Sequence, residues 1–275
     1  MADITAAAVK ELRVKTGLPL MDCKRALTES GGDEEGAIRW LRERGAKVMG
    51  KRADRETSFG RFGLFAGLDQ TAGAIIEFKC ESDPVAKNDE FVQLANDLAQ
   101  QLALGPGAEN ADELLAQKSP SKPDITLAEQ RDELMNRIRE VFNVGRMEKL
   151  DGPCAGYSHN SGTIAGVLIS VEGGNADAAK DVCMHIAAMR PAALTTDDLD
   201  PAEVEKERAI LKEVALKEGK PENIVDKMVE GRLRNYYAER VLLEQPFVKE
   251  QKQTVGKYAK EHGMTVKKFV HWELG

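Results

Sequence analysis

Four groups of residues in this 275-residue chain could do chemistry by type and spacing. Gly45-Ala46-Lys47-Val48-Met49-Gly50-Lys51 follows the first seven positions of a phosphate-binding loop. The pattern then fails, because Arg52 stands where a Ser or Thr would hold magnesium and the segment leaves a helix instead of joining a strand to one. Nucleotide binding by this chain is therefore not expected. Cys154, His159, Cys183 and His185 are zinc-ligand types, yet their spacing matches no ligand pattern, and no metal is expected. The four cysteines, Cys23, Cys80, Cys154 and Cys183, are widely scattered without any Cys-x-x-Cys pair and read as small buried apolar residues. His185 is the one histidine inside a clearly periodic helix, where a packed, hydrogen-bonded core role outweighs a catalytic one. No nucleophile, base and orienting acid assemble from local spacing, although a site spread over distant segments stays open to this reading. The fourth group is the polar loop Glu81-Ser82-Asp83-Pro84-Val85-Ala86-Lys87. It ends a strand and presents side chains outward; locally, Ser82 or Asp83 caps the turn that Pro84 begins.

The elements that must position these groups begin with Leu12 to Leu27, two short helices joined by a tight turn carrying apolar residues. Gly17 suits the left-handed end of the first helix, and Pro19 sits where a new helix tolerates a missing N–H. Ile4, Ala8 and Leu12 form one stripe, and Leu20, Cys23 and Leu27 the next. Gly31-Gly32 is a break. Asp33 is the expected cap of a third helix whose stripe includes Ile38 and Leu41. So small a unit buries little core and should lean on a neighbour or partner.

Beyond it, strands are expected at Phe59 to Leu68 and Ala72 to Cys80, then a helix capped by Asn88 with Phe91, Leu94, Ala95, Leu98 and Leu102 inward. The order recurs about 90 residues on: strands at Cys154 to Ser158 and Thr163 to Val171, a helix at Ala178 to Met189. Leu94-Ala95-Asn96-Asp97-Leu98-Ala99 is echoed by Val182-Cys183-Met184-His185-Ile186-Ala187, as an internal duplication would leave; chance resemblance of two common sheet-and-helix units is the competing reading. A Gly/Pro-bearing connection, Gly105 to Pro123, and a polar helix from Leu127 to about Phe142 separate the units. After Asp200, Pro201 and Glu203 a charged helix carries Val204, Leu211 and Val214. A second bears Ile224, Met228 and Val229, and together they make a projecting hairpin. An extended Pro246-Phe247-Val248, a helix near Val255 to Glu261 and a strand Phe269 to Leu274 close the chain.

The formal net charge is -7 and 42% of residues are apolar, an ordinary globular composition. Residues 1–55 carry 12 Lys and Arg against 9 Asp and Glu, so the positive charge is local. Arg39, Arg42, Arg44, Lys47, Lys51, Arg52 and Arg55 read either as the solvated face of the third helix or as a contact for an acidic partner surface. A nucleic-acid binder would be more one-sided. No run is long enough to span a membrane and the N-terminus has no signal-peptide pattern, so a cytoplasmic location is expected.

Leu12 to Leu27, with Thr16-Gly17 and Met21-Asp22-Cys23-Lys24, resembles the N-terminal signature of the elongation factor Ts family. Met184-His185-Ile186-Ala187-Ala188, Glu205-Lys206-Glu207-Arg208, Gly219-Lys220-Pro221, Met228-Val229-Glu230-Gly231-Arg232 and Gln245-Pro246-Phe247-Val248 resemble further family segments in the family's order. The resemblance implies an α+β protein with a ubiquitin-associated-like three-helix domain (1–55) and two related antiparallel-sheet-plus-helix subdomains (56–142; 143–199 with 236–275). A helical hairpin (200–235) that can serve dimerisation is inserted in the second. It implies guanine-nucleotide exchange on elongation factor Tu, bound with GDP or nucleotide-free, with no catalytic group, cofactor, direct nucleic-acid contact or membrane. Docking falls to Leu12, Arg13, Thr16, Gly17, Met21, Asp22, Cys23 and Lys24. Disturbance of the partner's magnesium and phosphate site falls to Ser82, Asp83, Pro84 and Val85, and a second partner contact to His159, His185 and Phe247. The chain departs from the family pattern at Pro84, where the family usually has a Phe that wedges between partner helices; proline does not reach as far. Leu18-Pro19-Leu20 is also bulkier than the family's usual turn, and one extra residue stands near Thr163 to Gly166. Two rival expectations are a binding adaptor built on the three-helix domain, without effect on nucleotides, and a helix-turn-helix nucleic-acid binder using Arg39 to Arg55.

Overall fold

The computed structural model describes residues 4–52, 54–218 and 221–274. Three helices come first: α1 (Ala6–Thr16), α2 (Leu20–Glu29) and α3 (Glu34–Gly50). Thr5 Oγ1 accepts from the Ala8 N–H to start α1, and Gly17, at φ 68°, ends it with its N–H on the Arg13 carbonyl. Asp33 caps α3 by accepting from the Gly36 N–H. Val9, Leu12, Leu18, Cys23, Ala26, Leu27, Ala37 and Leu41 fill the interior. Leu20, expected on the buried stripe, is instead 46% exposed, and Ala26 takes the inward place beside Cys23. The third helix continues to Gly50, so that Met49 enters the core of the next unit. That is the neighbour on which the small domain leans.

The first sheet unit contains β1 (Phe59–Phe65), β2 (Ala72–Cys80), α4 (Asp83–Ala86), α5 (Asp89–Leu104), α6 (Ala111–Leu115), α7 (Leu127–Ile138) and β3 (Asn143–Asp151). Its strands are antiparallel in the order β1-β2-β3. Residues 143–151 were expected in the second subdomain, but Ala72 pairs with Asp151 and the segment completes the first sheet. The polar helix ends at Ile138, four residues earlier than expected, because Arg139 turns left-handed at φ 71°.

The second unit has β4 (Cys154–His159), β5 (Ala165–Gly173) and α8 (Ala176–Met189). A hairpin of α9 (Pro201–Lys217) and α10 (Glu222–Arg240) follows, then β6 (Pro246–Phe247), β7 (Glu250–Thr254), α11 (Val255–Glu261) and β8 (Met264–Glu273). Its sheet order, β4-β5-β8, repeats that of the first unit, with the helix again following the middle strand. This shared topology supports an internal duplication.

Both middle strands are covered on two sides, and their period-two alternation sorts the side chains. From β2, Ala74, Ile76, Phe78 and Cys80 face the α5 core. From β5, Val167, Ile169 and Val171 face the α8 core. Ile75 and Leu168 turn the other way, meeting Phe62, Leu150, Cys154 and Val270 between the sheets. The layers are therefore helix, sheet, sheet, helix. Phe78, Phe91 and Phe142 pack as one aromatic group, Phe78 stacked on Phe91 at 4.4 Å between ring centroids.

The hairpin closes through Ala215, Val225, Val229 and Leu233. Of the expected seam, Val229 is buried there and Leu211 packs against it, whereas Ile224 and Val214 are exposed. Among the described residues no helix is long and apolar enough to cross a membrane.

Candidate functional site

The phosphate-loop-like residues 45–50 lie inside α3 and form no loop. Cys154 lies between the sheets and Cys183 on the opposite, α8-facing side of the second sheet. Among the described residues no group of three or more His, Cys, Asp or Glu could hold a metal ion. Burial pushes the Cys80 thiol up to about 12 and the Cys154 thiol up to about 11, so both stay protonated at neutral pH.

The exposed features are of another kind. At the α1–α2 turn, Val14 (77%), Met21 (69%) and Leu20 are exposed apolar side chains on one short stretch of chain. Of the residues assigned to docking, Arg13, Gly17, Met21 and Lys24 are exposed, whereas Leu12 and Cys23 are fully buried. Those two shape the turn from beneath: Thr16 Oγ1 donates to the Leu12 carbonyl at 2.8 Å, and the Cys23 thiol faces the Leu18 carbonyl at 3.7 Å. A Cβ on Gly17 would come within 2.8 Å of Arg137 Cδ, so glycine serves the left-handed turn and its close seat on α7 together. Arg137 is held in turn by Glu90 at the start of α5.

Asp22 points inward. Its carboxylate takes the Arg139 guanidinium at 2.7 Å, with Arg44 at 3.8 Å. Of the expected basic face, Arg39, Arg42, Lys47, Lys51 and Arg55 are exposed, as a solvated helix face would be, and three of its arginines also bond to the first sheet unit. Arg42 pairs with Glu133 at 2.8 Å, Arg55 with Glu81 at 2.9 Å, and Arg52 donates to the Arg139 carbonyl at 2.7 Å. These bonds tie α3 and its exit to the first sheet unit.

The second feature, Ser82 to Val85, leaves the end of β2 as the short helix α4. Pro84 is exposed at its tip, while Val85 packs partly on the α5 core and Ala86 is buried. The base of the loop is held by side chains from elsewhere. Glu140 accepts from Ser82 Oγ at 2.6 Å, from the Ser82 N–H at 3.1 Å and from the Glu81 N–H at 3.2 Å. Glu81 in turn accepts from the Val141 N–H at 2.8 Å. Desolvation raises the Glu81 carboxyl, but the Val141 and Arg55 bonds outweigh it and hold its pKa below the ordinary value. Asp83 is half-exposed and pairs with Lys87 at 2.6 Å.

The three residues assigned to a second contact are not alike. His159 is exposed at the end of β4, its Nδ1 3.0 Å from the Tyr157 hydroxyl. His185 and Phe247 are buried and cannot touch a partner with their side chains, a correction to the expected contact. Their work is internal. The Val248 N–H donates to His185 Nδ1 at 3.1 Å, which leaves the proton on Nε2 to donate to Gln245 Oε1 at 2.9 Å. Phe247 stacks on Tyr258 with ring centroids 4.2 Å apart. Burial lowers the His185 pKa, only partly offset by Gln245, so the ring is neutral. What this arrangement presents outward is the neighbouring pair Pro246 and Val248, both exposed. Arg139, Glu140 and Arg55 carried no sequence signal of their role, because their partners lie 26 to 117 residues away.

Fold and surfaces together define an α+β protein of a three-helix domain and two stacked, topologically matched sheet units, with an exposed apolar turn on the three-helix domain and an exposed loop tip at Pro84. A family model described as Elongation factor TS matches residues 81–275. The chain is 42% identical over 275 residues to a protein named Elongation factor Ts from Methylococcus capsulatus, covering 99% of this chain and 92% of that one. It is 41% identical to the protein of that name from Hyphomonas neptunium (100% and 93% covered) and 40% identical to that from Thioalkalivibrio sulfidiphilus (99% and 92%). The chain belongs to the elongation factor Ts family and is a translation elongation factor.

Proposed function

We propose that this protein is the guanine-nucleotide exchange factor of elongation factor Tu, binding it with GDP and promoting GDP release so that GTP can enter. Such a factor works through a coupling free energy: it binds the empty partner better than the loaded one, and by reciprocity lowers nucleotide affinity by the same factor. A nucleotide gripped by backbone N–H groups, a lysine and magnesium is loosened by a small displacement of that loop or metal. Here the apolar turn Val14, Leu20 and Met21, flanked by Arg13 and Lys24, anchors on the partner. Ser82 to Val85 then acts at the magnesium and phosphate site, with Asp83 as its charged group and Pro84 as its tip. The surface around Pro246, Val248 and His159 grips a more distant part.

The observation that carries this reading is the pairing, in one member of this family, of an exposed apolar turn with a projecting loop whose base is fixed by Glu140. The test is release of a fluorescent GDP from elongation factor Tu with and without the protein. Acceleration is expected, and its absence at saturating protein would end the reading.

A further inference from the structure

The turn that anchors and the loop that acts lie in different domains, yet they are joined through three consecutive residues. The Arg139 guanidinium holds Asp22 on α2 at 2.7 Å, and the Arg139 carbonyl accepts from Arg52 at the exit of α3. The next residue, Glu140, collects Ser82 Oγ and the N–H groups of Glu81 and Ser82. Its successor, Val141, donates its N–H back to Glu81 and is itself buried in the α5 core. Arg139 is one of three non-glycine residues with positive φ among those described. A left-handed arginine is an unfavourable choice for merely ending a helix, where glycine or asparagine would serve. Its conformation sends the Arg139 side chain to the docking domain while the next residue reaches the loop.

We propose that Arg139-Glu140-Val141 is a strut that transmits docking of the α1–α2 turn to the loop Ser82–Val85, with Arg139 and Glu140 as positioning residues for nucleotide exchange. This inference rests on the exchange reading above. Without the strut the anchor still docks, but the loop is no longer held in register with it, so binding energy is not converted into displacement of the partner's site. The strut acts as one unit. Cutting it at either residue has the same consequence, and cutting both adds little.

The experiment uses the full-length chain and elongation factor Tu loaded with a fluorescent GDP. Release is followed over a titration for Arg139→Asn, Glu140→Ala, Glu140→Gln and the double variant Arg139→Asn/Glu140→Ala. Asparagine tolerates the left-handed backbone, so Arg139→Asn removes the ion pair without adding strain. The expected result is a maximal release rate about tenfold lower for Arg139→Asn and Glu140→Ala, with the half-saturating concentration changed less than about twofold. Glu140→Gln, which keeps an acceptor oxygen for Ser82, recovers part of the rate. The double variant falls no further than the worse single one. Hydrogen exchange of the Glu81 and Ser82 amides accelerates in Glu140→Ala. Arg42→Ala, which breaks an ion pair between the same two bodies but leaves the strut alone, keeps the wild-type rate. Maximal rates within about twofold of wild type despite faster amide exchange would overturn the strut, as would additive losses in the double variant. A wild-type protein that releases no GDP would sink the exchange reading itself, a separate and distinguishable outcome.

Discussion

The two sheet units share strand order and helix placement, yet they leave their middle strands in different ways. In the second unit β5 passes to α8 through Gly173 and Gly174, at φ 70° and 79°, and Asn175 then caps the helix. In the first, β2 reaches α5 only after residues 81–88. A two-glycine turn is thus sufficient for the architecture. The longer loop is an elaboration, and it is fixed by polar groups of Glu140, Val141 and Arg55 as well as by the partial burial of Val85 and the full burial of Ala86. A second difference lies deeper. Asp97 on α5 and His185 on α8 occupy echoing positions in the sequence, and both are buried. Asp97 accepts from Ser121 Oγ, Gln130 Nε2 and Gln93 Nε2, tying down the connection that leads into α7. His185 ties down 245–248, which follows the hairpin. Each unit uses one buried polar residue of its covering helix to secure the long insertion that precedes its third strand.

The largest effect is expected for Asp97→Ala, which removes the acceptor shared by four donors, the buried Gln130 and Ser119 among them. A loss of about 3 kcal/mol in urea unfolding is expected, with accelerated hydrogen exchange over 119–130. A loss below about 0.5 kcal/mol would deny Asp97 this role. His185→Phe keeps an aromatic ring but leaves the Val248 N–H and Gln245 Oε1 without their partner, so about 2 kcal/mol should be lost, with amide protection falling at 245–248 and not at 119–130. Uniform loss of protection across both insertions would show that the two units do not secure them independently.

Acid should act on the second unit through His185. Burial depresses the folded-state pKa of His185, so the unfolded chain binds the proton more readily. Stability from this group is present above the ordinary histidine value of about 6.5, falls as the pH drops through it, and levels off below the folded-state pKa. His271, also depressed by burial, contributes in the same direction, so the informative quantity is the difference between wild type and His185→Phe. That difference should narrow on going from pH 7.5 to about pH 5; a constant gap would contradict a neutral buried His185. The smallest stability effect belongs to Pro84→Phe. At this exposed tip the change should stay within about 0.5 kcal/mol, while GDP release is at least as fast as in wild type. A large loss of rate would show proline to be an adapted contact.

Where apolar spacing was dense, the elements could be read from the residues. β2 was expected and found at Ala72–Cys80, and the α5 stripe with its Asn88 cap was likewise legible. β3 was not, because Asn143–Asp151 is a largely solvated edge strand with Leu150 alone fully inward, and so offers no alternation. β7, Glu250–Thr254, is hidden for the same reason. The hairpin seam was legible at Leu211 and Val229 but not at Val225, because Ile224 and Val225 are equally apolar and only packing with Ala215 chooses between them. Within the candidate site, the turn at Gly17 and the loop at Pro84 announced themselves through backbone chemistry. The side chains that hold them did not: Arg139, Glu140 and Arg55 look like any surface charge until the chain folds. His185 was legible as a packed core histidine from its helix, and its burial is what removes it from direct contact.

The central claim is that this protein couples its binding to the partner's nucleotide state. Its affinity for elongation factor Tu, titrated with GDP saturating and with nucleotide stripped away, tests that most directly. The account predicts markedly tighter binding to the empty partner, with GDP weakening the complex by the same factor by which the protein weakens GDP. Equal affinity in the two states would contradict it and leave a binding adaptor.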